Sequence, residues 1–183
     1  VGFADPRTRE IYERAQVLSG VLGDAPSLIP ILFGLWIHHG ARGELTRNQE
    51  LAQEILGIAT AAKDADLLLE GSLVVGCSSF HMGELANCRQ HFEQVLEDYR
   101  ADDHQHHAYV FGQDPLAAGG AYLSSALWCH GEAAHAFTIA EKAIEQARAI
   151  EHPYSLALAL IFVARAYQMN GDPETVAKLA GEA

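Results

Sequence analysis

Positions 102 to 115, "DDHQHHAYVFGQDP", hold the densest group of reactive side chains in this chain. Asp102, Asp103, His104, His106 and His107 supply the imidazoles and carboxylates that zinc favours. A closed metal site, however, needs ligands that converge at fixed spacing, and this run lacks such a pattern. The stretch reads better as a connector. Asp114-Pro115 is a helix start, with a side-chain oxygen at the N-cap and proline at the first helical position. Gly112 provides a turn, and Tyr109, Val110 and Phe111 are expected to cover the junction like a lid. A second histidine group, "HGEAAH" at 130–135, differs from the HExxH of zinc proteases: His130 and His135 are five apart, with Gly131 between them. His38 and His39 end an apolar segment, where imidazoles suit the negative end of a helix dipole. There is no phosphate-binding glycine loop, no nucleophile elbow and no recognisable acid–base carboxylate pair. The expectation is a chain with no catalytic residues, no metal and no cofactor, and hence not an enzyme on its own.

The elements that must position these residues follow a repeat. Glycine followed by an acid recurs at Gly43-Glu44, Gly83-Glu84, Gly131-Glu132 and Gly171-Asp172, with spacings of 40, 48 and 40 residues. Such a period marks stacked helical hairpins, each glycine in the turn between two antiparallel helices. The acid after it suits the N-terminus of the next helix. After Gly131, apolar residues fall at Ala136, Ile139, Ala140, Ala143, Ile144, Ala147 and Ile150, a stripe of period 3.6. After Gly83 the stripe is Leu85, Cys88, Phe92, Val95, Leu96 and Tyr99, with Arg89, Glu93 and Glu97 opposite. The segments before each glycine are apolar all round, as an inner layer would be. The expected fold is all-α, a right-handed superhelical solenoid occupying 1–183 as a single array. Its hairpins span 26–62, 64–101, 115–150 and 153–182, with a trailing helix of a preceding repeat at 6–23 and the connector at 102–114. Gly43, Gly83, Gly131, Gly171, Asp114 and Pro115 are its structural positions. Both ends look cut, so the chain reads as a piece of a longer protein.

Composition narrows the partners. The formal net charge is −12, and no cluster of lysine or arginine offsets it. Phosphate backbones and anionic membrane surfaces would be repelled, so neither nucleic acid nor membrane is expected. The run "LIPILFGLWI" is too short to span a bilayer. Cys77, Cys88 and Cys129 form no CxxC pair and sit in apolar helical patterns, suggesting buried, reduced thiols in a cytoplasmic protein.

Gly76, seven before its turn glycine, and Ala136 and Ala143, five and twelve after theirs, lie where tetratricopeptide repeats need small residues. Through these, and through "LLLEGSLVVGCSSFHMGELANCRQHFEQVLEDY" and "HAYVFGQDPLAAGGAYLSSALWCHGEAAHAF", nearly the whole chain resembles a known family. This is the tetratricopeptide-like (MalT-like) repeat region of bacterial class III adenylate/guanylate cyclase-type proteins that also carry an AAA/STAND ATPase module. It departs from the repeat consensus at Trp36, where a small residue is expected, and at Asn48, so the first hairpin is expected to pack irregularly. The resemblance implies a non-catalytic scaffold whose contacts regulate an attached signalling enzyme. Its partners would be a protein, a peptide or other domains of the same chain, and homo-oligomer formation is compatible with it. By repeat register, the concave groove is lined by Phe33, Ile37, Glu70, Phe80, Trp128, Ile161, Arg165 and Gln168. The alternative is a sensor that holds a small effector in that groove.

Overall fold

The computed structural model describes residues 2–22 and 26–183; Gly23, the last residue of the expected leading helix, lies outside them. Every regular element among the described residues is helical. The chain divides into two compact units, Val1–Gly83 and Glu84–Ala183, and the border falls inside the expected 64–101 hairpin. In the first unit, α1 (Pro6–Leu22) and a 3₁₀ turn (Pro26–Leu28) precede α2 (Ile29–Ala41), α3 (Leu45–Ala62) and α4 (Ala65–Met82). The second begins with α5 (Leu85–Asp98) and two single-turn helices, α6 (Ala101–His104) and α7 (His107–Val110). It continues through α8 (Pro115–Cys129), α9 (Ala133–Ala149), α10 (Pro153–Met169) and α11 (Pro173–Glu182). The connector is thus partly helical rather than an open loop.

Gly43, Gly83, Gly131 and Gly171 take φ of 72°, 79°, 85° and 77°, the left-handed region that reverses the chain tightly after a helix. The acids that follow them behave differently from expectation. Glu44, Glu84 and Glu132 occupy N-cap positions without a capping side-chain bond, because a glutamate reaches past the helix end. Glu44 turns to Arg42 and His39, and Glu132 to Arg89 and His135. Only the shorter Asp172 caps, accepting from the Thr175 amide at 3.0 Å. The turns α3–α4 and α9–α10 are closed without glycine, by Lys63 at φ 55° and Glu151 at φ 53°.

Small residues set the helix spacing. A Cβ on Gly71 would stand 2.9 Å from Leu56 Cα, so α3 and α4 touch almost backbone to backbone. One on Gly120 would meet the Ala143 methyl at 3.0 Å, binding α8 to α9 in the same way. The second unit's core is accordingly rich in alanine (117, 121, 140, 143 and 147), with Leu160 and Val163 filling between. Phe92, Tyr122 and Phe162 carry contact from α5 through α8 to α10, with ring centroids 5.7 and 3.9 Å apart.

Trp36 and Asn48, the two departures from the consensus, are joined to each other. The buried Trp36 indole donates to Ser78 Oγ at 2.8 Å, and Ser78 donates to Asn48 Oδ1 at 2.7 Å. Asn48 Nδ2 then donates to the Trp36 carbonyl at 2.7 Å. The large residue is accommodated by a closed polar ring linking α2, α3 and α4, not by a loosened hairpin.

Two substitutions test this geometry by urea denaturation. Gly71→Ala gains about 1 kcal/mol of helix propensity but overpacks against Leu56 at a cost of roughly 1–3 kcal/mol. A net loss near 1 kcal/mol is expected. Glu151→Gly removes a left-handed cost of about 1–2 kcal/mol while adding glycine's chain entropy, so a net gain of about 0.5 kcal/mol is expected.

Candidate functional site

The connector is organised by one buried carboxylate. Asp114 Oδ1 caps α8 by accepting from the Ala117 amide at 2.8 Å, and Oδ2 accepts from the Tyr99 hydroxyl at 2.7 Å. Gln146 Nε2 donates to the Tyr99 oxygen at 2.8 Å. The Asp114 amide donates to Ser155 Oγ at 2.8 Å, and Ser155 in turn meets His152 Nδ1 at 2.9 Å. One side chain and its amide therefore tie α5, α8, α9 and α10 together. Burial raises the Asp114 carboxyl above its usual range, against the lowering effect of Tyr99 and the amides. Burial likewise raises the Tyr99 phenol, and the neighbouring Asp114 carboxylate adds to it. The sequence identified Asp114 and Pro115 as a helix start; Tyr99, Gln146, Ser155 and His152 were missed, since their spacing follows no local motif.

The connector histidines stack on one another and on neighbouring aromatic rings. His104 and His107 are buried; His104 Nδ1 accepts from the Arg100 amide at 2.8 Å, a structural hydrogen bond. Their rings form a ladder: Tyr99–His104 at 5.5 Å, His104–His107 at 5.3 Å and His107–Phe111 at 5.5 Å. Among the described residues, no group of three or more histidine, cysteine or acidic side chains could hold a metal ion. His130 and His135 are exposed on either side of their turn. His38 and His39 do not cap α2. Their Nδ1 atoms pair with the Phe3 carbonyl, 2.7 Å away, and with the Glu44 carboxylate, because both rings turn toward neighbouring segments. The lid also differs from expectation: only Phe111 turns inward, while Tyr109 and Val110 point to solvent. Cys129, expected to be buried, is exposed near the end of α8, whereas Cys77 and Cys88 are buried. Burial, with a smaller contribution from Cys129, pushes the Cys88 thiol up to about 12 and makes it unreactive.

The expected groove residues separate by burial. In the first unit, Phe33 and Glu70 are enclosed, because the faces of α2 and α4 that carry them are packed inward; they are not available to a partner. Ile37 and Phe80 are half-buried. In the second unit, Ile161, Arg165 and Gln168 share the exposed face of α10 and line one side of an open cleft of about 380 Å³. Val176, Ala180 and Ala183 of the α11 segment line the other side. Trp128 stands outside this cleft, half-buried, its indole nitrogen 3.5 Å from Asn170 Oδ1 at the end of α10. A second cleft, about 480 Å³, lies between α9 and α11. Ile144, Val163, Tyr167 and Leu179 form its apolar part, and Glu141, Glu145, Arg148 and Lys178 its charged part.

Antiparallel helices joined by left-handed glycines at a period near 40, with small residues at the contacts, define a tetratricopeptide-like helical solenoid. The chain is similar to the crystal structure of a putative kinesin light chain from Podosopora anserina, solved as nearly identical TPR-like repeats. The TM-score is 0.62 at 18% identity, over 94% of this chain and 82% of that one. No family model and no curated protein matches the sequence. No helix among the described residues is long and apolar enough to cross a membrane.

Replacing Asp114 tests the network. Asp114→Ala leaves the Tyr99 hydroxyl without its acceptor and α8 without its cap, for an expected loss of about 3 kcal/mol in thermal or urea melts. A carboxyl raised on folding contributes stability that is complete below its unfolded value of about 3.9 and is lost as pH rises through the folded value. Stability of the wild type should show this fall upward from about pH 4. Asp114→Asn, which keeps the Oδ1 cap, should lose that component and cost less than Asp114→Ala.

Proposed function

We propose that the chain is a non-catalytic tetratricopeptide-like scaffold that binds a protein segment, from a partner or from another domain of its own chain. The observation that carries this reading is Ile161, 60% exposed on α10 between the cleft and solvent, with Arg165 and Gln168 one and two turns further along. Arginine is among the side chains that most often dominate binding energy, and here it stands on a rigid helix beside an exposed aliphatic side chain. Arg165 offers a planar fork to a carboxylate of the partner, and Trp128 extends the contact from α8. Together with the resemblance to cyclase-type proteins, the reading becomes specific: a cytoplasmic regulatory scaffold of a bacterial signalling enzyme. The net charge of −12 directs it toward neutral or basic protein partners rather than nucleic acid or anionic membrane.

A second reading, a small-effector sensor, is favoured by the cleft between α9 and α11, where apolar walls meet charges of both signs. The two readings separate by experiment. The protein carrying Ile161→Glu or Arg165→Ala should lose about 2 kcal/mol of affinity in a pull-down titration with its protein partner, with an unchanged melting curve. Retained capture by both folded variants would remove α10 from the interface. For the sensor, a small molecule should raise the melting temperature of wild type but not of Tyr167→Ala.

A further inference from the structure

The connector that lengthens one repeat spacing to 48 residues carries a second exposed surface, distinct from the α10 face. In the second unit the large apolar side chains open to solvent are Tyr109, Val110, Tyr154 and Ile161. Two of these four, Tyr109 and Val110, adjoin each other in the connector, with exposures of 71% and 54%. Tyr109 and Val110 end α7, and the Tyr109 ring stands edge-on to His152 with centroids 5.1 Å apart.

This surface is held in place from beneath. Ala108 and Phe111, on either side of the exposed pair, are buried, as are His104 and His107 in the ring ladder. Asp114 fixes the far end of the segment to Tyr99 and Ser155. The ordering entropy of the connector is therefore spent in folding, and little is left to lose when a partner arrives. The surroundings are acidic: Asp102 and Asp103 on α6 and Glu151 before His152 are exposed, and among the described residues none has an ion pair. Arg100, the one cation of this segment, directs its guanidinium to the backbone carbonyls of Glu97 and Tyr99.

We propose that Tyr109 and Val110 form a docking knob for a basic protein segment bearing aliphatic side chains, with Asp102, Asp103 and Glu151 as its electrostatic guides. The same carboxylates argue against a second copy of this chain as occupant, since a self-paired knob would set them against their own duplicates. The probe is a fluorescein-labelled peptide with two leucines flanked on each side by two arginines, measured by anisotropy against its serine-for-leucine counterpart at about 0.15 M salt. The leucine peptide should bind at least tenfold more tightly. Tyr109→Ser with Val110→Ser should abolish that preference at an unchanged melting temperature, and Asp102→Asn, Asp103→Asn, Glu151→Gln should flatten the salt dependence. Equal binding of the two peptides would overturn the proposal, as would a leucine preference that survives in the folded serine variant. So would wild-type self-association in sedimentation that the serine variant loses, because the knob would then be covered by a second copy.

Discussion

A carboxylate enclosed by protein must find donors or fail to be buried, and Asp114 finds them. The amide of Ala117 and the hydroxyl of Tyr99 donate to it, while the residue's own amide donates to Ser155 Oγ. Four helices that share no local sequence relationship are brought into fixed register by that requirement. The apolar contacts of the second unit are largely alanine on alanine and supply little directionality. Hydrophobic burial brings these helices together; the hydrogen bonds to Asp114 decide at what offset they stop. The connector depends on the same point, because its downstream end is the amide of that residue.

How far the sequence revealed this follows from the range of each interaction. The hairpins were legible because turn and period are local: Gly131 reverses the chain within a few residues, and the stripe from Ala136 to Ile150 needs only helical geometry to be read. The N-cap of α8 was legible for the same reason. What Asp114 does beyond capping was not, since Tyr99 and Gln146 stand 15 residues before it and 32 after it, with no motif between them. Lys63 and Glu151 escaped notice because a left-handed turn closed by an ordinary side chain has no compositional mark.

The candidate site was legible to a smaller degree. Repeat register assigns a residue to a helix face, but burial depends on what packs over that face. On α10 the assignment and the exposure agree for Ile161, Arg165 and Gln168. On α2 and α4 they part, because Phe33 and Glu70 are covered. Tyr109 and Val110 show the reverse error. Hydrophobicity alone placed them inward, yet the single turn of α7 can bury only one of its faces, and Ala108 and His107 take it.

The ring of Trp36, Ser78 and Asn48 carries a consequence for how this chain can change over generations. The Trp36 indole serves Ser78, Ser78 serves Asn48, and Asn48 returns to the main-chain carbonyl of residue 36, inside a space shaped by the indole. A lineage that replaces the tryptophan with the small residue usual in such repeats inherits a serine hydroxyl that has lost its indole donor, and a void beside it. A lineage that replaces only the asparagine strands the serine. The three positions, 12 and 42 residues downstream of the first, are therefore bound to a common history: they persist together or are exchanged together. Homologous chains should sort into those that keep the trio and those that have lost it entirely, with few intermediates surviving between.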